Sequence, residues 1–187
     1  MYLHGFNSSP ASFKARLVKE RLAALGRAHE FAAPHLPHRP AQAIETIERA
    51  IEAHAPDDVT LIGSSLGGHY ATWMAERCGT RAVLINPAIA PAALLAAALG
   101  PQKNLYTGET YALTAEHLDE LRALDVAQIT RPERYLLIVA MGDEVLDSRV
   151  ALDKYRHAVQ IVHCGGDHGF AAFGRYVDAV IDFGGCK

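Results

Sequence analysis

The chain has little cysteine, a single tryptophan and no large excess of either charge. Its three cysteines, Cys78, Cys164 and Cys186, are an odd number with no C-x-x-C spacing, which argues against a disulfide framework and fits a reduced, cytoplasmic setting. Eighteen basic residues stand against 21 acidic ones, a formal net charge of −3 with histidine neutral. No basic stripe is visible, so nucleic acid is not an expected partner. No apolar run approaches the length of a membrane span, and no basic segment followed by a long apolar core opens the chain. There is no internal repeat, low-complexity tract or linker. The 187 residues are expected to form one domain, and with half of them apolar they can bury a sizeable core.

What is present is alternation. Short apolar runs at residues 59–62, 82–85, 135–140 and 159–163 read as buried strands, and Tyr2-Leu3, preceded only by Met1, as the tail of another. Residues 30–34 are a weaker strand candidate. Amphipathic stretches between them read as helices over 12–25, 41–55, 69–78, 148–155 and 171–183. Residues 88–99 are alanine- and leucine-rich and expected to turn helical after Pro91, and Thr114 opens a helix to about Leu124. Residues 100–114, with Pro101 and Gly108, read as polar and irregular. Strand and helix in alternation define an α/β fold, a mainly parallel sheet with helices on both faces. Residues 89–124 stand out as a small cap-like insertion rather than a full cap domain.

The chemistry centres on Gly63-Ser64-Ser65-Leu66-Gly67-Gly68, a G-x-S-x-G sequence between a buried strand and a helix. Such a sharp turn lifts its central hydroxyl above the sheet and aims the helix N-terminus at the same spot. A phosphate-cradling glycine turn is the competing reading of the pentapeptide alone. A serine nucleophile needs a base, and the base needs a group to hold its tautomer. Asp143, after the strand at 135–140, and His168, after the strand at 159–163, supply these in the order Ser…Asp…His. That is the chain order of α/β-hydrolases. Asp147 competes for the acid role, but sits where it would cap the next helix. Asp167 is a weaker competitor, and Ser64 is the nucleophile only if the elbow register shifts by one. The backbone N–H of Leu66, just after the nucleophile, and that of Phe6, in the loop after the first strand, are the expected oxyanion donors. His4 is expected to order that loop. His35 and His38 are separated by proline and do not read as a metal pair, so no metal and no cofactor is expected. His69 reads as a packing residue.

These residues carry a resemblance. Residues 2–10 (YLHGFNSSP), 63–68 (GSSLGG), 86–88 (NPA), 106–109 (YTGE), 142–147 (GDEVLD) and 165–170 (GGDHGF) resemble the signatures of YqiA-type esterases, a small bacterial branch of the α/β-hydrolases. The resemblance spans nearly the whole chain. It implies a cofactor-free serine esterase acting on acyl esters, acyl thioesters included. Phe6, Asn7, Leu105, Tyr106 and Phe170 are the candidate substrate contacts, and a small-molecule ester is the expected partner. Two readings of other kinds stand beside it: a hydrolase-fold binding protein with a vestigial triad, and another serine chemistry on the same scaffold, such as a thioesterase, peptidase or acyltransferase.

Overall fold

The computed structural model describes residues 1–104 and 106–185. Five parallel strands form one sheet in the order β1 (Tyr2–Leu3), β2 (Thr60–Ser64), β3 (Arg81–Ile85), β6 (Tyr135–Ala140) and β7 (Val159–His163). The register runs straight across it: Tyr2 pairs with Ile62, Ile62 with Val83, Val83 with Leu136 and Leu136 with Val159. Parallel neighbours cannot be joined by a tight turn, so each connection carries a helix. These are α1 (Phe13–Ala24) and α2 (Pro40–Ile51) before β2, α3 (Leu66–Cys78) before β3, and α6 (Ser148–Lys154) before β7. Helix α7 (Val177–Gly185) closes the described chain.

The helices cover both faces, which is why β3 and β6 are apolar without alternation. Successive strand residues point to opposite sides. Leu61, Leu84 and Leu137 join a core with Ile47 of α2 and Met74 of α3. Their neighbours Ile62, Val83 and Leu136 join a second core with Val18 of α1 and Ile181 of α7. The edge strand β7 is only half covered, and Val159 and Val162 remain exposed.

Between β3 and β6 lie α4 (Pro91–Leu95), an antiparallel hairpin of β4 (Gly100–Lys103) and β5 (Thr110–Leu113), and α5 (Ala115–Ala123). Four expectations change here and nearby. Residues 100–114 are mostly a regular hairpin: inward Gln102, Asn104, Tyr111 and Leu113 alternate with exposed neighbours, a period-2 pattern too short and polar to stand out. Residues 30–34 form no strand; Ala28–Glu30 is a 3₁₀ turn, and the stretch meets the sheet through one bond, Tyr2 N–H to the Ala32 carbonyl at 2.7 Å. The helix expected over 88–99 is α only for Pro91–Leu95. It continues as a 3₁₀ turn at Ala96–Ala98 and stops before Gly100 at φ 114°. Residues 171–176, interrupted by Gly174, are likewise 3₁₀ ahead of α7.

Candidate active site

All the chemistry-bearing loops leave the carboxyl ends of the strands, where open α/β sheets bind ligands. Ser65 sits between β2 and α3 at φ 54° and ψ −120°, a conformation L-residues seldom adopt. Its backbone is bolted in place: the N–H donates to the Ile85 carbonyl at 3.0 Å, and its own carbonyl accepts from Ala88 N–H at 3.0 Å. The flanking glycines are required by contact. A Cβ on Gly63 would strike the Gly67 carbonyl, and one on Gly67 would strike the Leu3 carbonyl. Ser64, by contrast, lies within β2 and is buried.

His168 reaches this spot from the loop after β7. Its Nε2 is 3.1 Å from Ser65 Oγ, and its Nδ1 is 2.8 Å from Asp143 Oδ2. A carboxylate only accepts, so Nδ1 carries the proton and Nε2 is left to accept from the serine hydroxyl. The Asp143 side chain is 1 % exposed and that of His168 25 %, so the three side chains run from a buried carboxyl group towards the surface. Asp143 Oδ1 accepts from the Val145 and Leu146 N–H groups at 2.9 and 2.8 Å, which locks the carboxylate rotamer. Asp147 faces away and accepts from Arg149 N–H at 2.9 Å, capping α6. Asp167 Oδ1 accepts from Phe170 N–H at 2.7 Å and shapes its own loop.

On the other side of Ser65 runs the loop after β1. Gly5 is pressed so close that a Cβ there would lie 3.2 Å from Ser65 Cβ. Phe6 follows directly, and Leu66 is the first residue of α3. Among the described residues neither the Phe6 nor the Leu66 N–H has a backbone acceptor. His4 is buried; its Nε2 accepts from Leu36 N–H at 3.0 Å and its Nδ1 is 3.0 Å from the Gly5 carbonyl, so it orders the loop as a neutral ring. Burial lowers its pKa accordingly. A cavity of about 30 Å³, room for one small group, opens beside this loop between Phe6, Leu66, Tyr70, His38 and Tyr111.

The expected substrate contacts divide. Phe6 is half-buried against the α3-side core. Asn7 has both amide atoms engaged, with Gln102 and Tyr111. Tyr106 is exposed at the hairpin tip, and Leu105 lies outside the described residues. Phe170 is a correction: at φ 55° its ring turns under the loop, where it is fully buried against His163, Phe173 and Tyr176, so it lines no groove.

Three positions acquire roles that residue type alone did not signal. Asn86, at φ 40° and buried, accepts from Ala140 N–H at 2.8 Å and donates to the Asp167 carbonyl at 3.4 Å, tying the end of β3 to β6 and the His168 loop. Glu144 accepts from His168 N–H at 3.0 Å. Lys14 of α1 donates to the Gly169 carbonyl at 2.9 Å; burial lowers its pKa although Asp143 and Asp167 lie near. An Asn-Pro just after a strand was the one signal available, and it pointed to no partner. Among the described residues no group of three or more His, Cys, Asp or Glu side chains is arranged to hold a metal ion. His38 stacks on Tyr111 at 4.1 Å instead, and His35 lies beside His4.

The order of the strands, the helices on both faces and the strained serine turn define the α/β-hydrolase fold. The chain belongs to the uncharacterised protein family UPF0227, whose model matches residues 1–185. It is 26 % identical over 163 residues to a UPF0227 protein of Serratia proteamaculans, covering 87 % of this chain and 84 % of that one. Its fold is similar to mouse alpha/beta hydrolase domain-containing protein 10, with a TM-score of 0.69 at 16 % identity over 97 % of this chain and 88 % of the other. It is equally similar to a monoacylglycerol lipase of Paleococcus ferrophilus, again 0.69 at 16 % identity, over 98 % and 92 %. At such identities the likeness is one of fold. Among the described residues no helix is long and apolar enough to cross a membrane.

Proposed function

We propose that the protein is a serine esterase that hydrolyses acyl esters, thioesters included, through an acyl-enzyme. The observation that carries this is the unbroken relay from Asp143 Oδ2 to His168 Nδ1 at 2.8 Å and from His168 Nε2 to Ser65 Oγ at 3.1 Å. Ser65 Oγ attacks the ester carbonyl carbon while its proton passes to His168 Nε2. The carbonyl oxygen becomes an oxyanion and accepts from the Phe6 and Leu66 N–H groups. The bond to the leaving oxygen or sulfur then breaks, and His168 returns the proton to the departing alcohol or thiol. Water enters by the same route: His168 takes one proton, the hydroxide adds to the acyl carbon, and the acid leaves as Ser65 recovers its hydrogen. Asp143 keeps the imidazole in the tautomer that can accept and stabilises the imidazolium.

No metal or cofactor has a part in this sequence. A monoacylglycerol lipase among the neighbours in fold supports this reading, and so do the Phe6 and Leu66 N–H groups, which have no backbone acceptor among the described residues. The test is hydrolysis of 4-nitrophenyl acetate and butyrate by the native protein and by Ser65→Ala. Native turnover and a loss of about a thousandfold or more in the folded variant are expected. Equal rates in the two proteins, or no turnover of either ester or the matching thioesters, would favour a vestigial site.

A further inference from the structure

Building on the reading of Phe6 as an oxyanion donor, we propose that the β4–β5 hairpin belongs to the active site, with Gln102, Tyr111 and Asn104 as positioning residues that clamp the loop bearing the Phe6 N–H. The loop between β1 and α1 has no ladder to hold it, yet it must lie within contact of Ser65. Asn7, next to Phe6, is at φ 50°, a left-handed conformation asparagine tolerates better than most residues. Its side chain is held at both atoms. Tyr111 Oη–H donates to Asn7 Oδ1 at 2.9 Å, and Asn7 Nδ2 donates to Gln102 Oε1 at 3.1 Å. One residue further on, the Ser8 carbonyl accepts from Asn104 Nδ2 at 2.9 Å.

The hairpin is built to present this grip. Gln102 and Tyr111 are register partners, so their side chains emerge on the same face, and Asn104 follows two residues on. Gln102 is steadied by donating to the Ala98 carbonyl at 2.7 Å. From the other side the His38 ring stacks on Tyr111 at 4.1 Å with planes 16° apart, and its Nδ1 meets Glu109 Oε1 at 3.3 Å. A Cβ on Gly5 would lie 3.2 Å from Ser65 Cβ, so the loop has little room to move there, and a shift at Asn7 passes directly to its chain neighbour Phe6. An oxyanion donor displaced by a fraction of an ångström loses most of its value in the transition state and little in the ground state.

Two variants test the clamp. Tyr111→Phe removes one hydroxyl and leaves the ring stacked on His38. Asn7→Gly removes both side-chain bonds while keeping a residue at ease with positive φ. With 4-nitrophenyl acetate each is expected to lower kcat by roughly ten- to a hundredfold with KM within about twofold. An alkyl boronic acid, whose adduct on Ser65 mimics the tetrahedral intermediate, should weaken by a similar factor. The double variant should lose no more than the worse single, because the bond that Tyr111→Phe removes is one of the two that Asn7→Gly removes. If Asn7→Gly does not fold, Gln102→Leu takes its place. Native kcat in the folded variants, a change in KM alone, or additive losses would overturn the clamp. The amide ¹H–¹⁵N spectrum separates this proposal from the esterase reading. The Phe6 resonance should move in Tyr111→Phe and stay fixed in Lys103→Gln on the hairpin's outer face, whatever esters the native protein turns over; an unmoved Phe6 resonance would also overturn the clamp.

Discussion

Asp143 and Asp147 share one loop and one chemistry, and the fold separates their tasks. Asp143 follows β6 closely enough to reach over the next strand end, where it meets His168 Nδ1 and two backbone N–H groups. Asp147 spends its carboxylate on the first turn of α6. Asparagine is as good a helix cap as aspartate, so Asp147→Asn should leave both folding and esterase rate near native. On the proposed mechanism Asp143→Asn removes the charge that would stabilise the imidazolium, and it should cost about 10³–10⁴-fold in kcat. Steady-state kinetics on the two purified variants checks the order, and the reverse order would move the acid to Asp147. Strain is concentrated at the same rim: Asn7, Ser65, Asn86 and Phe170, all at positive φ, are held there by the bonds described above.

At the scale of elements, the hairpin changes how the insertion is to be understood. Residues 89–124 are too few to bury a large core of their own, and a loosely attached segment of that size could act as a moving lid. The polar bonds from Gln102, Asn104 and Tyr111 to the loop after β1 tie it down instead, and Arg39 of the loop before α2 reaches Glu120 of α5 at 2.7 Å. A tied hairpin makes a fixed wall beside an open site. Ester hydrolysis should therefore rise smoothly as substrate concentration crosses the solubility limit, with full activity on soluble monomeric esters. A sharp jump at that limit, with negligible rate below it, would mean that the segment opens and closes.

For the whole molecule, the two cores on either side of the sheet hold several polar groups that must stay neutral. His69 of α3 is the clearest. It is buried, with Nε2 3.2 Å from the Leu121 carbonyl, and burial pushes its pKa down to about 4 despite the Asp125 carboxylate nearby. A histidine whose folded pKa lies below its unfolded value of about 6.5 costs nothing above pH 7 and destabilises as pH falls through that value. The penalty grows until about pH 4, where it is on the order of 3 kcal/mol. Urea unfolding of the native protein should lose stability between pH 7 and 4.5 more steeply than that of His69→Gln, whose amide can still donate to Leu121. Parallel pH profiles would show that the imidazole is not kept neutral by the fold.

Much of this protein is written in local pattern. Unbroken apolar runs such as Tyr135–Ala140 can only be strands covered on both faces, and Gly63-x-Ser65-x-Gly67 between such a run and a helix leaves few ways to turn. The order Ser65, Asp143, His168 after strand ends followed from the same spacing. What local pattern could not decide was contact between distant segments. The faint alternation in Gly100–Lys103 and Thr110–Leu113 has meaning only once Tyr111 and Gln102 meet Asn7, about a hundred residues away. Phe170 reads as a substrate contact until it is fully buried in the second core. Asn86 is one asparagine before a proline until β3, β6 and the His168 loop close around it. Each of these depends on a hydrogen bond or a shared core between segments far apart in the chain, and such partners are chosen by the assembled fold rather than by local pattern.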